Sequence, residues 1–564
     1  MISANIGAWS PGLVLIAGAL LLPLVGPALR RLLVLTLPFA TLALVWNLPD
    51  GPSAAFRFLD YDLVPVRADA LSRLFGVIFA VMAFAGGLFA LNQARTVELV
   101  AAFAYAGGAI GAVFAGDLVT LFVFWEVMAL ASTVVVWCGG TPAAHRAGMR
   151  YVIMHLLGGV LLMIGIIAHV GAAGSVAFSA MKLDEAGAWL ILAGFLVNAG
   201  APPLSAWLPD AYPEASPSGT VFLSAFTTKT AVYVLLRGFP GAEILVYVGL
   251  YMIFYGIIYA LLENDARRIL AYSIVNQVGF MVAGIGIGTA TALNGSAAHA
   301  FAHIIYKALL LMSAGSVLHM TGKRKCTDLG GLYRTMPLTA ICGIIGALSI
   351  SAFPLTSGFV SKSLISQAAA DGNLAVIWFL LAAASAGVFL HAGIKFPWFV
   401  FFQKDSGLRP PDPPLNMRLA MVLFAALCIA IGVAPGPLYA LLPYPVDYVP
   451  YTGPHVVAQL QLLLFSGLAF FAMLPQMRRT LTISLDIDWL YRRLGKAAAG
   501  QLTALASATQ ARLERALVKQ VRALITQIFR HHGPQGVLAR TWPTGSTVLW
   551  VAILLATYLV LYYL

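Results

Sequence analysis

The sequence predicts an all-α polytopic membrane protein, and three features of the 564-residue chain support this fold class. The chain is 60% hydrophobic and 10% charged, whereas an ordinary soluble domain has roughly 25% charged residues. Apolar runs of ~20 residues, the length of a helix that spans a bilayer, recur along it. The basic residues behind its net charge of +12 fall mainly in alternate loops and in the C-terminal region, as the positive-inside rule describes. They therefore indicate orientation in a membrane and not nucleic-acid binding.

The apolar runs predict about 14–16 transmembrane helices, with the N-terminus outside. The first run lacks a basic flank, so we interpret it as a retained helix and not as a cleaved signal peptide. The runs lie near 10–28, 32–48, 71–92, 98–116, 118–138, 147–170, 187–200, 216–237, 243–262, 268–289, 295–319, 337–369 (interrupted), 374–402, 416–440, 456–475 and 546–564.

Residues 481–545 differ from the rest in being polar and rich in arginine. Leu502, Leu505, Leu513 and Leu517 recur there at helical spacing, opposite a face of Gln, Arg and Lys. This pattern predicts an amphipathic helix that lies along the cytoplasmic membrane surface. The run at 546–564 then predicts a final transmembrane helix.

Two interrupted apolar segments occupy corresponding places in the chain. The first runs from Asn198 through a Pro-Pro break to Lys229, and the second runs through a proline break to Lys362 and Lys395. Paired broken helices of this kind predict inverted repeats with a site at the membrane midplane. The predicted regions are 1–97 for the N-terminal helices, 98–237 and 243–402 for the two inverted five-helix repeats, 403–480 for further C-terminal helices, 481–545 for the cytoplasmic amphipathic helix and 546–564 for the final helix.

Carboxylates occur at two notable places. Glu126 lies alone within a long apolar run, where a charged carboxylate costs several kcal/mol unless it is paired. Ionisable groups at membrane depth are functional by default, although a protonated glutamate that packs helices together is the alternative. Asp210 and Glu214 follow the first break in a proline-rich turn, and we interpret them, with Asn198, as modulators of the same site.

Lysines form a second set of ionisable groups at membrane depth: Lys229, Lys307, Lys362 and Lys395. A buried lysine can accept and release a proton, whereas an arginine stays charged. This difference favours a role in proton transfer. The alternative is that the side chain reaches to the membrane surface from a helix end, and it applies best to Lys395.

A third set is His299, His303 and Lys307, which are spaced four residues apart and so share one helix face. Three titratable groups in a line predict a proton wire. A zinc site is the weaker alternative, because two histidines without a neighbouring carboxylate make a poor zinc signal. His391 lies one turn before Lys395 and fits its network, whereas the lone His155 is equally consistent with a packing role.

The sequence contains no motif for catalysis within the chain, such as a phosphate-binding loop, a dinucleotide fingerprint or a zinc-protease signature. The four cysteines are scattered, which argues against an iron–sulfur cluster and a disulfide framework. We therefore predict a transporter and not an enzyme, with no cofactor and no bound metal.

Five segments together carry a family resemblance: FVFWEVMALAS, PPLSAWLPDAYPEA, LENDARRILAYSIVNQVGFM, HAFAHIIYKALLLMSAGSV and FPLTSGFVSK. They resemble the antiporter-like subunits shared by respiratory complex I and the multisubunit Mrp-type Na+/H+ antiporters, and most closely the D-type chains of the Mrp antiporters. The resemblance covers residues 70–480. It implies two inverted five-helix repeats with broken helices, each holding half of a proton path.

The resemblance also implies roles for single residues. Glu126 matches the glutamate of helix 5 in the family, Lys229 the central lysine of helix 8, and Lys362 the lysine on the second broken helix. The group of His299, His303 and Lys307 matches the polar connection between the two half-paths.

The chain departs from the family pattern at Asn198, where relatives usually have a lysine that pairs with the glutamate. Ser205 likewise stands where many relatives have a histidine. Asparagine forms hydrogen bonds but carries no charge. The first half-path therefore works through another pairing, such as Glu126 with Lys229, or carries another ion, or is partly disabled.

The resemblance implies a proton-translocating subunit of a multisubunit monovalent cation (Na+)/H+ antiporter in the cell inner (plasma) membrane. Its partners would be other membrane subunits and the lipid bilayer, and its substrates H+ and Na+. The alternatives are a proton-pumping subunit of a redox-driven complex, of the NADH:quinone oxidoreductase or hydrogenase type, and a mainly structural scaffold.

Overall fold

The computed structural model describes residues 9–58, 60–476 and 485–564, and these are predominantly helical. Residues 1–8, 59 and 477–484, which belong to the predicted N-terminal, C-terminal and cytoplasmic regions, lie outside the described residues. The helices are α1 Gly12–Leu21, α2 Pro27–Asn47, α3 Ala70–Ala90, α4 Thr96–Phe114, α5 Leu118–Trp137, α6 Pro142–Ala173, α7 Ala186–Ala199, α8 Trp207–Ala211, α9 Pro217–Leu223, α10 Thr227–Gly238, α11 Ile244–Leu262, α12 Ala266–Ile287, α13 Ala290–Thr321, α14 Pro337–Ile350, α15 Ser357–Asp371, α16 Ala375–Val388, α17 Leu415–Val433, α18 Gly436–Tyr439, α19 Gly453–Ala472, α20 Asp488–His532 and α21 Thr544–Tyr563.

Thirteen helical segments among the described residues are long and apolar enough to cross a membrane. Three shorter apolar helices accompany them, at Gly12–Leu24, Ala186–Ala199 and Pro337–Ile350. Every apolar run predicted from the sequence overlaps one of these segments, although the second half of the interrupted run at 337–369 forms α15, which is not among them. The predicted class, an all-α polytopic membrane protein, is confirmed.

One element was not predicted, an antiparallel hairpin of β1 (Gly51–Phe58) and β2 (Tyr61–Ala68) between α2 and α3. Val66 and Ala68 of β2 are buried. The backbone N–H of Val64 donates to the carboxylate of Asp117 at 2.8 Å, and Asp117 also caps the start of α5. The hairpin is therefore tied to the end of a membrane helix, which gives two short strands the packing they need.

The helices break at the two places that prolines predicted, and also between α9 and α10, where the sequence predicted one continuous run. The breaks separate α7 from α8, α9 from α10 at residues 224–226, and α14 from α15 at residues 351–356. In the last of these, Ala352 and Leu355 have positive φ angles of 56° and 68°, so the backbone reverses its local hand there. After α16 the chain winds more loosely, as π-helix, over Phe389–Lys395 and Trp398–Phe402.

Two sets of three consecutive helices share the same spacing along the chain. The intervals between first residues are identical for α4, α5 and α6, which begin at 96, 118 and 142, and for α11, α12 and α13, which begin at 244, 266 and 290. α6 and α13 are both 32 residues long. Equal spacing is what a repeat would give, and the bounds predicted for the two repeats, 98–237 and 243–402, stay a prediction. The inversion of one repeat relative to the other stays a prediction.

The centre of the protein is formed by α12, by α9 with α10, and by α13. The most apolar stretches of α12 and of α9–α10 are wholly buried, and that of α13 is 89% buried. The outer helices, such as α2 and α19, expose most of their apolar residues. Titratable residues on the central helices are therefore shielded from lipid.

Residues 487–564 form a separate compact unit. It consists of α20, which has 45 residues and is therefore ~68 Å long, and α21, which is apolar enough to cross a membrane. Within this unit no residue of either helix is buried. The leucines predicted to form an apolar face of the amphipathic helix, including Leu502 and Leu513, are exposed.

Candidate functional site

The α13 row, His299, His303 and Lys307, is completely buried. Lys307 Nζ donates to Ser273 Oγ of α12 at 2.9 Å. His299 is joined to Ser361 Oγ by a hydrogen bond of 3.0 Å through Nδ1, and to Gln277 Oε1 by one of 3.1 Å through Nε2. The row therefore ends beside the segment that carries Lys362.

His303 lies in the middle of the α13 row and differs from its neighbours. Neither of its ring nitrogens has a hydrogen-bond partner among the described residues. Its ring packs edge-on against Tyr306, with centroids 5.2 Å apart. A buried imidazole with two open nitrogens is chemically able to take up a proton from one side and release it to the other.

Lys229 lies directly after the break between α9 and α10 and is completely buried. Its ammonium donates to the backbone carbonyl of Ser224 at 2.6 Å and to Thr228 Oγ1 at 3.0 Å. The break frees carbonyl oxygens that a continuous helix would occupy, and in a membrane such groups need a polar partner. Lys229 supplies that partner from inside the protein.

Lys362 also follows a helix break, the one between α14 and α15. Its ammonium donates to the carbonyl of Ile350, the last residue of α14, at 3.0 Å. It also lies 4.7 Å from the centroid of the Phe280 ring, a distance at which a cation is attracted to the aromatic face. Both central lysines are thus held at helix breaks.

Lys362 also lines a cavity of about 250 Å³, which we call the Lys362 cavity. This volume has room for several water molecules. Its other polar lining residues are Ser363, Ser366, Ser385, His455 and Gln459. His455 is half-buried, and its Nδ1 contacts the carbonyl of Pro450 at 2.8 Å. No local pattern singles out His455, because α19 is distant from α15 along the chain.

Glu126 is half-buried on α5 and points at α6. Its Oε1 is buried and has no hydrogen-bond partner among the residues that the structure describes. Oε1 occupies the space left by the missing side chain of Gly159, where an added Cβ would overlap the carboxylate oxygen. Val123 and Leu130, on the same side of α5, are exposed. The carboxylate therefore lies at the membrane-facing edge of the protein and makes no direct contact with Lys229.

Asn198, at the end of α7, pairs with His155 of α6. The Asn198 Oδ1 and His155 Nδ1 atoms are 2.7 Å apart, and both residues are buried. The His155 ring packs against Tyr151 and Trp207, with centroid distances of 4.1 Å and 4.7 Å. Ser205, the second departure from the family pattern, is buried, and its Oγ has no partner in the described part of the chain.

Buried hydroxyl groups continue from this pair toward Lys229. Tyr151 OH donates to Ser132 Oγ at 2.9 Å and lies 3.4 Å from Thr227 Oγ1. Thr227 also contacts Tyr105 OH, at 2.5 Å. Because Thr227 begins α10, these hydroxyls end two residues before Lys229.

Lys395 is buried in the loosely wound segment after α16. Three of its hydrogen bonds go to the carbonyls of Ala260, Leu261 and Glu263 at the end of α11, at 2.6, 2.8 and 2.7 Å. Helix C-termini leave carbonyls unpaired, and a cation there is stabilising. This geometry is that of a helix cap, and a place for Lys395 in the proton path stays a prediction. His391, one turn earlier, is also buried.

The carboxylates predicted to modulate the site are both held by arginines near the loops. Asp210 receives two hydrogen bonds from Arg150, at 2.6 and 2.9 Å. Glu214 pairs with Arg324 at 2.9 Å. The same Arg324 contacts Asp265 at 2.8 Å, and Asp265 caps the start of α12. Of these ion pairs, the one between Glu214 and Arg324 connects the two predicted repeats.

Asp265 lies outside the membrane-spanning helices and is buried. Burial raises the pKa of the Asp265 carboxyl, and the nearby guanidinium groups of Arg324, Arg268 and Arg267 oppose that increase. The start of α12 accordingly has a desolvated acid held among three arginines.

The chain is similar to known proteins over much of its length. The family described as NADH:quinone oxidoreductase/Mrp antiporter, TM, matches residues 115–389. The D-type subunit of the Na(+)/H(+) antiporter of Alkalihalophilus pseudofirmus is 32% identical over 353 residues, which cover 59% of this chain and 71% of that protein. The chain belongs to this family. The matched region contains every residue predicted for the proton path except Lys395.

Chains of two solved membrane complexes share the fold of this family member. One, in the Mrp complex from Dietzia sp., matches with a TM-score of 0.75 and 22% identity, covering 92% of this chain and 62% of that chain. The other is in the membrane-bound sulfane sulfur reductase, an archaeal respiratory membrane complex. It matches with a TM-score of 0.71 and 24% identity, covering 98% of this chain and 99% of that chain.

These matches confirm the resemblance to the antiporter-like subunits that the five motifs indicated. What sequence reasoning missed in this family member is the surroundings of Glu126 and Asn198. Gly159 gave no signal by itself, and His155 was interpreted as a lone histidine. An alignment of α6 with α13 would have singled out both Gly159 and His155. The equal spacing of α4–α6 and α11–α13 places these two helices in register.

Proposed function

We propose that this multi-pass membrane protein is the proton-translocating subunit of a multisubunit monovalent cation/H+ antiporter in the cell inner (plasma) membrane. The observation that carries the proposal is the α13 row, which lies between Lys229 and Lys362 at the two helix breaks. α13 packs against α10, which carries Lys229, and against α15, which carries Lys362. Ionisable groups buried at membrane depth mark ion pathways in proteins of this kind.

Electrostatic coupling between these groups provides the driving mechanism. In surroundings of low dielectric constant, the interaction between two charges is several times stronger than in water. A proton that arrives at Lys229 therefore makes protonation of Lys307 less favourable and pushes a proton onward along the α13 row. Each transfer changes the affinity of the next group, and this ties transport in one half to transport in the other.

Two features support uptake and release at opposite ends of the path. Glu126 lies at the membrane-facing edge, where its carboxylate is half-buried and lacks a partner in the described chain. At the other end, the Lys362 cavity offers space for water beside the last lysine of the path. A proton would pass from Glu126 to Lys229, along the α13 row and out through Lys362.

Other membrane subunits of the complex are the proposed partners. The outer face of α6, next to Glu126, exposes Ile153, Leu157, Val160 and Ile164. An apolar face of this kind fits lipid or another membrane subunit. Sodium is the proposed cation because a relative that matches this chain over 71% of its own length is named as part of a Na(+)/H(+) antiporter.

A second candidate function is a proton-pumping subunit of a redox-driven complex. The observation in its favour is the nearly end-to-end match, 98% of this chain and 99% of the other, to a chain of a respiratory membrane complex. The same α13 row would serve in both cases. The source of energy would differ, since a partner subunit would supply redox energy in place of a cation gradient.

Proton flux in membrane vesicles that contain the whole complex tests the proposal. Addition of Na+ or K+ is expected to dissipate a preformed pH gradient without any reductant, and Glu126→Gln is expected to lower this flux about tenfold or more. A pH gradient that responds to NADH or hydrogen and ignores cations would support the redox-driven complex. If Glu126→Gln and wild type gave equal flux, the assignment of Glu126 to the path would be wrong.

A further inference from the structure

The α6 helix carries a row of residues in the same register as the α13 row. Tyr151, His155 and Gly159 form this α6 row, and they are spaced four residues apart on one helix face. Counted from the first residue of each 32-residue helix, they stand at the positions that the α13 row occupies in the second repeat. His155 thus corresponds to His303, the imidazole in the middle of the α13 row.

The bond to Asn198 leaves one nitrogen of His155 open. Because Asn198 Oδ1 faces Nδ1 at 2.7 Å, Nδ1 carries the hydrogen and donates it, which leaves Nε2 as the proton acceptor. His155 is 1% exposed, and Nε2 has no hydrogen-bond partner within the described ranges. A buried basic nitrogen that is oriented yet unpartnered is unusual, since buried polar groups are nearly always satisfied.

The surroundings of His155 on α6 connect it to proposed members of the path on both sides. One turn after it, Gly159 receives the carboxylate of Glu126. One turn before it, Tyr151 packs against its ring and lies 3.4 Å from Thr227 through its hydroxyl. His155 therefore stands between the carboxylate at the membrane-facing edge and the hydroxyls that precede Lys229.

We propose that His155 takes up and releases a proton at Nε2 in the first half of the path, between Glu126 and Lys229. The proton comes from the carboxyl of Glu126, which becomes a carboxylate, and it leaves from the same nitrogen to the neutral amine of Lys229 by way of the Tyr151 and Thr227 hydroxyls. Nδ1–H keeps its bond to Asn198 throughout. Asn198 is a positioning residue, and this inference rests on the proposed function.

The inference gives a physical reason for asparagine at residue 198. A lysine there would present a cation to the imidazole and oppose its protonation, since like charges in low dielectric repel strongly. The asparagine oxygen instead stabilises the imidazolium by accepting its Nδ1–H. The first half-path thus has its own titratable group on α6 in place of one on α7.

Vesicles that contain the whole complex, with cation-dependent proton flux as the readout, test the inference. His155→Gln keeps an amide that can bond to Asn198 but cannot carry a proton, and its flux is expected to fall about tenfold or more. His145→Gln is the matched control, because His145 lies on the same helix and is exposed; its flux is expected to equal that of wild type. Lys307→Ala in the same vesicles reports on the proposed function itself.

Asn198→Leu separates a positioning role from a packing role. It is expected to lower flux, because Nδ1 loses its acceptor, whereas the double variant His155→Gln/Asn198→Leu is expected to be no worse than His155→Gln alone. If the double variant lost flux by the sum of the two single effects, the positioning role would be overturned. Substitutions that act through one group do not have additive effects.

The outcomes of these experiments test the role of His155 separately from the proposed function. Loss of flux in Lys307→Ala together with normal flux in His155→Gln would overturn the role of His155 and leave the proposed function standing. Normal flux in Lys307→Ala would overturn the proposed function. His155→Asn is a second variant whose side chain cannot carry a proton. If neither His155→Gln nor His155→Asn assembled while Lys307→Ala did, His155 would be a structural residue and the inference would be wrong.

Discussion

Glu126 on α5 and Gly159 on α6 meet so closely that a Cβ on residue 159 would overlap Oε1 of the glutamate. The carboxylate of Glu126 thus packs directly against the backbone of Gly159. Oε1 is the far end of a flexible side chain, so an added methyl group would displace the carboxylate without disrupting the helices. This relationship lets the place of Glu126 be changed while its chemistry is kept.

Gly159→Ala is expected to lower cation-dependent proton flux severalfold, by less than Glu126→Gln, because it moves the carboxylate and does not remove it. Gly171→Ala is the matched control, since Gly171 lies on the same helix with open space around the added Cβ. Both changes favour the helix by a similar amount, roughly 0.5–1 kcal/mol. Equal flux in the two alanine variants would mean that the position of the carboxylate has no influence on transport.

Lys362→Arg is expected to abolish proton flux although the positive charge is kept. Arginine does not release its proton at any physiological pH, and the Lys362 cavity gives the larger side chain room. The measurement is flux in vesicles with equal amounts of assembled complex. Wild-type flux in this variant would show that Lys362 acts only through its charge.

Lys395→Met is expected to destabilise the protein by a few kcal/mol, because three carbonyls at the end of α11 lose a charged donor. Lys395→Arg keeps donors near these carbonyls, and its flux is expected to stay close to that of wild type. Thermal unfolding of the purified complex and vesicle flux are the two measurements. A stable Lys395→Arg complex without flux would place Lys395 in the proton path, as the sequence alone suggested.

Ser366→Phe is expected to reduce flux by filling the Lys362 cavity with an aromatic ring, whereas Ser366→Ala leaves the cavity open and is expected to be neutral. Ser366 lines the cavity and is half-buried, so the ring can be accommodated at modest cost. Flux in the two variants, compared at equal expression, checks this prediction. If the phenylalanine variant transported normally, protons would leave Lys362 by another route.

The sequence predicted the features that depend on local pattern. Apolar runs define the membrane helices because each run must match the bilayer thickness. The breaks after α7 and α14 follow from prolines, which remove a donor and obstruct the helix, whereas the break between α9 and α10 has no proline and was missed. Glu126 and the central lysines stood out because an ionisable group in an apolar run is conspicuous by itself. The β1–β2 hairpin was missed, because the sequence signal of two short strands is weak compared with that of sixteen apolar runs.

Features that depend on packing between distant segments could not be predicted. His155 and Asn198 are separated by 43 residues along the chain, and only the packing of α6 on α7 shows that they pair. His455 reaches the Lys362 cavity because α19 packs beside α15 and α16, which no local pattern encodes. The capping of α11 by Lys395 likewise joins segments more than 130 residues apart.

The central claim is that the α13 row links the two halves of one proton path. The most direct measurement is cation-dependent proton flux in vesicles that contain the whole complex, with Lys307→Ala compared with Lys323→Ala, an exposed lysine beyond the end of the same helix. We predict that Lys307→Ala loses the flux while Lys323→Ala keeps it, at equal assembly. Undiminished flux in Lys307→Ala would contradict the account.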